Sequence, residues 1–93
     1  MAQPYDFDPS KDSANREKHD VSLAFGIAIF DDPDQILLAS HRPIDGEDRF
    51  KVIGRIGERC WTAVFVERGA TKRIISVRKS NNGEQRDYDR HSG

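Results

Sequence analysis

The 93 residues are enough for one domain with a thin core, because a short chain leaves most of its side chains near the surface. The composition is 35% hydrophobic and 33% charged, with a mean hydropathy of -0.77, which indicates a folded domain rather than a disordered chain. The net charge of -1 conceals two halves of opposite sign: residues 1–48 hold four Lys and Arg against eleven Asp and Glu, and residues 49–93 hold eleven against five. The basic half indicates an anionic partner such as RNA, unless the two halves pair with each other in the fold.

The sequence also limits where the chain acts. No apolar run approaches the roughly 20 residues of a membrane helix, and the first ten residues lack the basic and apolar regions of an export signal. We therefore expect a soluble cytoplasmic protein with no membrane contact. The lone Cys60 excludes an internal disulfide, and three scattered histidines give no zinc pattern, so no cofactor is predicted.

Two helices are predicted at the start of the chain. Residues 9–19 are polar, with Pro9 suited to a first helical position and Asp8 to the cap, which predicts a short exposed helix. Residues 22–32 place apolar side chains at helical spacing after Ser22 and before Asp-Asp-Pro, which favours a second, more buried helix. Gly26 and the β-branched residues leave a strand as the alternative there.

Short apolar or alternating runs follow, and they predict four strands. The runs are QILLAS, RFKVIGRI, CWTAVFVE and RIISVRK, and their short connectors favour an antiparallel meander. The polar end of the chain predicts a short helix that carries Tyr88. The expected fold is α+β, with two N-terminal helices, a four-stranded antiparallel sheet and a short C-terminal helix, in one domain over residues 1–93 that frays at 1–4 and 90–93.

Basic side chains on the predicted strands are candidates for phosphate contacts. Alternation places Arg78 on the face of Ile74 and Ser76, where its guanidinium fits a phosphate or pairs with a nearby carboxylate of Glu84 or Asp87. Arg49, Lys51 and Arg55 share a face of another strand, as a phosphate track or as the solvated face of an edge strand.

Three further residues are candidates for proton transfer or base contact. Glu47 lies just before the basic strand, where Arg49 and Arg55 would keep it ionised as a general base, unless it is an ordinary turn residue. His19 ends the first helix, whose C-terminus favours the charged imidazole. Tyr88 either covers the sheet or stacks on a base.

Three segments together resemble the BrnT family of bacterial type II toxins, small ribonucleases with a RelE-like fold. They are an aromatic-Asp-Pro run followed by Lys and ending in Asn-x-x-Lys-His, a Gly-Glu-x-Arg loop with Gly five residues after the Arg, and an Ile-Ile-Ser-x-Arg strand followed by Glu and Tyr. Their order and spacing carry the resemblance. This chain has Tyr5 where the family commonly has Trp, and Asp20 where a glycine usually follows the histidine.

The resemblance implies a toxin that cuts RNA and slows translation. It also implies a BrnA-type antitoxin with a ribbon-helix-helix DNA-binding domain, through which alone the toxin would reach operator DNA. Exposed strand edges favour a higher oligomer in that complex. The family's functional positions fall on Lys18, His19, Glu47, Arg49, Arg55, Arg78 and Tyr88, and we add Lys51 as a phosphate contact.

Carried onto this chain, those positions suggest a cleavage that needs no metal, with His19 or Glu47 as base or acid and Arg55 and Arg78 on the phosphate. Two alternatives remain open. One is a noncatalytic module that binds protein or nucleic acid, including an inactive toxin homologue. The other is a metal-dependent nuclease, although capping already explains the aspartates near the turns.

Overall fold

The computed structural model describes residues 4–39 and 49–92, which form an α+β fold on one five-stranded sheet. The strand order is β1-β5-β4-β3-β2. In chain order the elements are β1 (Tyr5–Asp6), α1 (Pro9–His19), a 3₁₀ helix (Ala24–Asp31), β2 (Ile36–Ala39), β3 (Arg49–Ile56), β4 (Arg59–Arg68), β5 (Thr71–Lys79) and α2 (Asn82–Ser92). The expected RelE-like arrangement, two N-terminal helices and a four-stranded antiparallel sheet, is wrong in two respects.

The first correction is an additional strand that makes the sheet mixed. The four predicted strands are present and pair antiparallel, but β1 adds to β5 in parallel, with Tyr5 opposite Lys72. The Lys72 amide donates to the carbonyl of Pro4 at 2.9 Å. A two-residue strand is too short to show alternation, so no sequence pattern could reveal it.

The second correction concerns the segment after α1. It is a 3₁₀ helix rather than the predicted α-helix. Its buried positions, Leu23, Gly26 and Ile29, are three residues apart, which matches three residues per turn. A side chain at Gly26 would meet Val77 of β5. The segment therefore lies close against the sheet through every third residue. In an α-helix, with 3.6 residues per turn, these three positions would not lie in one line.

The sheet has two faces with different covers. On one face the 3₁₀ helix packs over the main core, which consists of Leu23, Ile29, Val52, Trp61, Ala63, Phe65, Ile74 and Val77. On the opposite face, which we call the α2 face, Tyr88 packs with Ile36, Ile53 and Cys60. Within the described parts of the chain, no helix is long and apolar enough to cross a membrane.

A β-bulge in β5 changes which residues share a face. Val64 pairs with Ser76 but Phe65 pairs with Ile74, so Ile75 is an extra residue on β5. Ile74 and Val77 consequently both enter the main core. The prediction that Ile74 shares a face with Arg78 is therefore wrong, because strict alternation does not survive the bulge.

Helix α1 is held to β5 by polar contacts. Its predicted cap is confirmed, since the Asp8 carboxylate accepts the amide of Ser10 at 2.7 Å. Buried Asn15 accepts the amide of Val77 at 3.0 Å and donates to the carbonyl of Val77 at 2.9 Å. One side-chain amide thus occupies the edge of β5 as a neighbouring strand would, and it fixes the end of α1 beside that strand.

Candidate functional site

The end of α1 and the end of β5 enclose a small cleft, which we call the His19 cleft. Lys18, His19 and Asp20 form one wall and Arg78 and Lys79 the other, around a cavity of about 240 Å³. The bonds from Asn15 to β5 bring these two chain ends together. The candidates Lys18 and His19 at the end of α1 and the distant candidate Arg78 therefore lie in one place.

The imidazole of His19 is half-buried among positive charges. The pKa of His19 is lower than its usual 6.5. Burial is the largest cause, followed by the positive charges of Lys18 and of Arg78. This result differs from the sequence expectation, in which the helix C-terminus favours the charged form. Near neutral pH the ring is therefore neutral and able to accept a proton.

Arg78 is fixed in the cleft by Glu84 of α2. Its two terminal nitrogens donate to the two carboxylate oxygens of Glu84 at 2.7 and 2.8 Å, a bidentate pair that sets the plane of the guanidinium. The sequence left pairing with Glu84 as the alternative to a phosphate contact, and this pairing is confirmed. Both terminal nitrogens of the guanidinium are thus bound to Glu84, while the Arg78 side chain as a whole remains 30% exposed.

Glu84 also binds groups from three other parts of the chain. Its carboxylate accepts from Lys51 Nζ and Thr62 Oγ1, both at 3.1 Å, and from the amide of Asn81 at 2.9 Å. Burial alone would raise the pKa of Glu84, but the hydrogen bonds from Arg78, Asn81 and Lys51 outweigh it and lower the pKa to about 2. The carboxylate is therefore ionised, and through it Lys51 is tied to the same cluster as Arg78.

Arg55 and Tyr88 belong to a different cavity, lined also by Asp31, Asp32 and Asp34. Tyr88 is 5% exposed, and its hydroxyl donates to the Asp32 carboxylate at 2.6 Å. The Arg55 amide donates to the same oxygen at 2.8 Å. Tyr88 thus covers the sheet, the first of its two expected roles, and the structure does not place Arg55 in the His19 cleft.

The remaining candidates lie elsewhere. Glu47 is outside the described residues. Arg49 is half-buried at the start of β3, opposite Val66. Among residues 4–39 and 49–92 no group of three or more His, Cys, Asp and Glu side chains has the arrangement of a metal site.

Sequence reasoning missed part of this arrangement. Asn15 and Asp32 carry long-range hydrogen bonds but have no local pattern that reveals them. Glu84 was predicted only as a possible partner of Arg78, although the sequence holds a further signal for it: Asn81 and Glu84 form a capping pair at the start of α2, in which the Glu84 amide donates to Asn81 Oδ1 at 2.8 Å. That pattern places Glu84 in the first turn of a helix directly after Arg78.

Fold and cleft together define a small α+β domain that places an imidazole among cations at the edge of a mixed sheet, a site suited to an anionic ligand. The family model for BrnT, the ribonuclease toxin of a type II toxin-antitoxin system, matches residues 7–84. The chain belongs to this family of ribonuclease toxins, and a type II toxin implies an antitoxin partner. No curated protein matches the chain.

Proposed function

We propose that this toxin is an endoribonuclease that cleaves RNA at the His19 cleft without a metal ion. The observation that supports this proposal is the grouping of a half-buried, neutral imidazole with Lys18 and Arg78 in one open cleft. A neutral base beside fixed cations is what internal attack on a phosphodiester requires.

In the proposed reaction, His19 takes the proton from a ribose 2′-hydroxyl. The 2′-oxygen then forms a bond to the adjacent phosphorus, and the bond from phosphorus to the 5′-oxygen of the next nucleotide breaks. Arg78 and Lys18 stabilise the negative charge that develops on the phosphate oxygens. The leaving oxygen takes up a proton from water, and the products are a 2′,3′-cyclic phosphate and a 5′-hydroxyl; a part for Glu47 in proton transfer stays a prediction.

Family membership supports a proposal for the wider biological role. We propose that cleavage slows translation in the cytoplasm and that a BrnA-type antitoxin with a ribbon-helix-helix domain neutralises the toxin. Contact with operator DNA would run through that antitoxin. The outermost strand, β2, presents Leu37 with 57% of its surface exposed, which supports pairing with another chain and a higher oligomer in the complex.

Cleavage of a long RNA in EDTA by purified variants tests this proposal. We expect Arg78→Ala to slow cleavage by about 100-fold or more, since one preorganised donor to a developing anion is worth that much. His19→Ala, which breaks no ion pair, should slow cleavage by about 100-fold as well. Arg68→Ala removes an exposed arginine outside the cleft and should leave the rate unchanged.

Two results would contradict the proposal. Full activity of both cleft variants would place the chemistry elsewhere on the molecule. No cleavage by the folded wild-type protein, with or without magnesium, would favour the noncatalytic binding module.

A further inference from the structure

The face of α1 that is directed at β5 is cationic, whereas the inward face of most surface helices is apolar. Positions 11, 14, 15, 18 and 19 follow the spacing of the stripe that normally enters a core, and they line one cavity. The stripe carries Lys11, Lys18 and His19, with Asn15 as its buried member. Hydrogen bonds from Asn15, rather than apolar packing, attach this helix to β5. The side chains of Lys11 and Lys18 therefore remain exposed to solvent.

Strand β5 forms the opposite wall of this cavity, which we call the Lys11 groove and which measures about 270 Å³. Its wall consists of Ile75, the extra residue of the bulge, and Ser76. Lys18 and His19 line both the Lys11 groove and the His19 cleft. The two cavities therefore adjoin, with His19 between them.

The charges of α1 differ between its faces. Arg16 points away from the groove and pairs with Asp12 at 3.1 Å. Within residues 4–39 and 49–92, by contrast, neither Lys11 nor Lys18 forms an ion pair with a carboxylate. The groove thus presents the hydroxyl of Ser76 and two ammonium groups that no carboxylate of the described residues pairs with, which favours a ligand with repeated negative charge.

The spacing of the two lysines fits a nucleic-acid strand. Lys18 follows Lys11 by seven positions, which is about two helical turns. The two lysines therefore lie on one side of the helix and about 10.5 Å apart along its axis. Phosphates of one strand of B-form DNA are about 3.4 Å apart along the helix axis, and a stacked nucleic-acid strand with a similar rise covers this distance in about three nucleotides.

We propose that the Lys11 groove binds the backbone of the RNA substrate beside the scissile phosphate, with Lys11 on a phosphate about three nucleotides from the one at His19. The proposal rests on the proposed function and extends it to a substrate length. RNA of five or more nucleotides, which has at least four phosphates, reaches Lys11, whereas a dinucleotide, with its one phosphate in the His19 cleft, does not.

The test compares Lys11→Ala with Arg16→Ala, which removes the same charge from the other face of the same helix. Binding is measured by fluorescence anisotropy with a 2′-O-methyl RNA hexamer, which lacks the attacking hydroxyl, from 50 to 200 mM salt. Lys11→Ala should weaken binding roughly threefold to tenfold at low salt and reduce the slope of log affinity against log salt by about 0.7. Arg16→Ala should leave that slope unchanged.

A cleavage comparison completes the test. Lys11→Ala should lower kcat/KM for a hexanucleotide several-fold and leave that for a dinucleotide unchanged. Equal effects on both RNA lengths, or a Lys11→Ala variant that behaves like Arg16→Ala, would overturn the proposal for the Lys11 groove. The proposed function would stand in that case if the wild-type protein is active. A wild-type protein that neither binds nor cleaves RNA would instead remove the proposed function, and the groove with it.

Discussion

Glu84 is the residue on which the arrangement of the His19 cleft depends most. Its side chain is only 3% exposed, and a buried carboxylate is stable only when partners replace its water. The two bonds from Arg78, together with those from Lys51, Thr62 and the Asn81 amide, do so. The carboxylate in turn holds Arg78 at one orientation, which makes Glu84 a positioning residue for the proposed phosphate contact.

Replacing Glu84 by Gln should destabilise the protein, because the partly buried cations of Arg78 and Lys51 lose their counter-charge. We expect a loss of about 2 to 4 kcal/mol in the free energy of unfolding, measured by urea denaturation at pH 7. Glu67→Gln is the matched control, since Glu67 is 53% exposed and lies 3.9 Å from Lys72, and it should cost less than about 0.5 kcal/mol.

The same residue predicts a pH dependence. The pKa of Glu84 falls from 4.5 to about 2 on folding, so its contribution is present above pH 4.5 and is lost as the pH falls towards 2. The shift corresponds to roughly 3 kcal/mol. The unfolding free energy of the wild type should therefore decline more steeply below pH 4.5 than that of Glu84→Gln, and parallel curves would contradict this role.

At the scale of the elements, the end of α1 is a point of backbone strain. Asp20 follows the helix in the left-handed conformation, with φ 65° and ψ 12°, and its amide donates to the carbonyl of Arg16. Glycine adopts this conformation without the steric cost that a side chain brings. The glycine common in the family at this position therefore has a local physical reason, and this chain departs from it one residue after His19.

Substitution of Asp20 tests that explanation. Asp20→Gly should raise the free energy of unfolding by about 0.5 to 1 kcal/mol, whereas Asp20→Ala should lower it by about 1 kcal/mol because alanine is poorly tolerated in this conformation. Both variants remove the same carboxylate, so thermal unfolding of the pair separates backbone strain from charge. A stability order other than Gly, Asp, Ala would refute the strain argument.

The elements differ in how well local sequence predicts them. Helix α1 and its Asp8 cap were predictable because capping chemistry lies within a few residues. The two-residue β1 depends on its position beside Lys72, and the 3₁₀ helix on a close approach to Val77, neither of which is visible in a local window. The bulge at Ile75 is likewise defined only by the partner strand.

The site follows the same rule. The sequence indicates Lys18, His19 and Arg78 as candidates but not that Arg78 lies beside the other two. Asn15 determines this, because its hydrogen bonds to Val77 join residues 62 positions apart. Arg55 is separated from them because β3 places it beside Asp32 in another cavity.

At the scale of the whole molecule, the interpretation that the two oppositely charged halves pair with each other is confirmed in part. Arg73 of the basic half pairs with Asp6 of the acidic half at 2.7 Å, so some of the opposite charge is used within the fold. Lys18 comes from the acidic half and still joins Arg78 and Lys79 at the His19 cleft. The distribution of cations in space, rather than along the chain, therefore determines where an anionic ligand would bind.

The most direct test of the central claim is the chemistry of the cleaved ends. A defined RNA is incubated with the protein in EDTA beside the same RNA with a single 2′-deoxy nucleotide at the mapped cleavage site. The proposed mechanism predicts a 2′,3′-cyclic phosphate and a 5′-hydroxyl from the first RNA and no cut at that site in the second. A 5′-phosphate end, cleavage of the 2′-deoxy substrate, or activity that EDTA abolishes would contradict it.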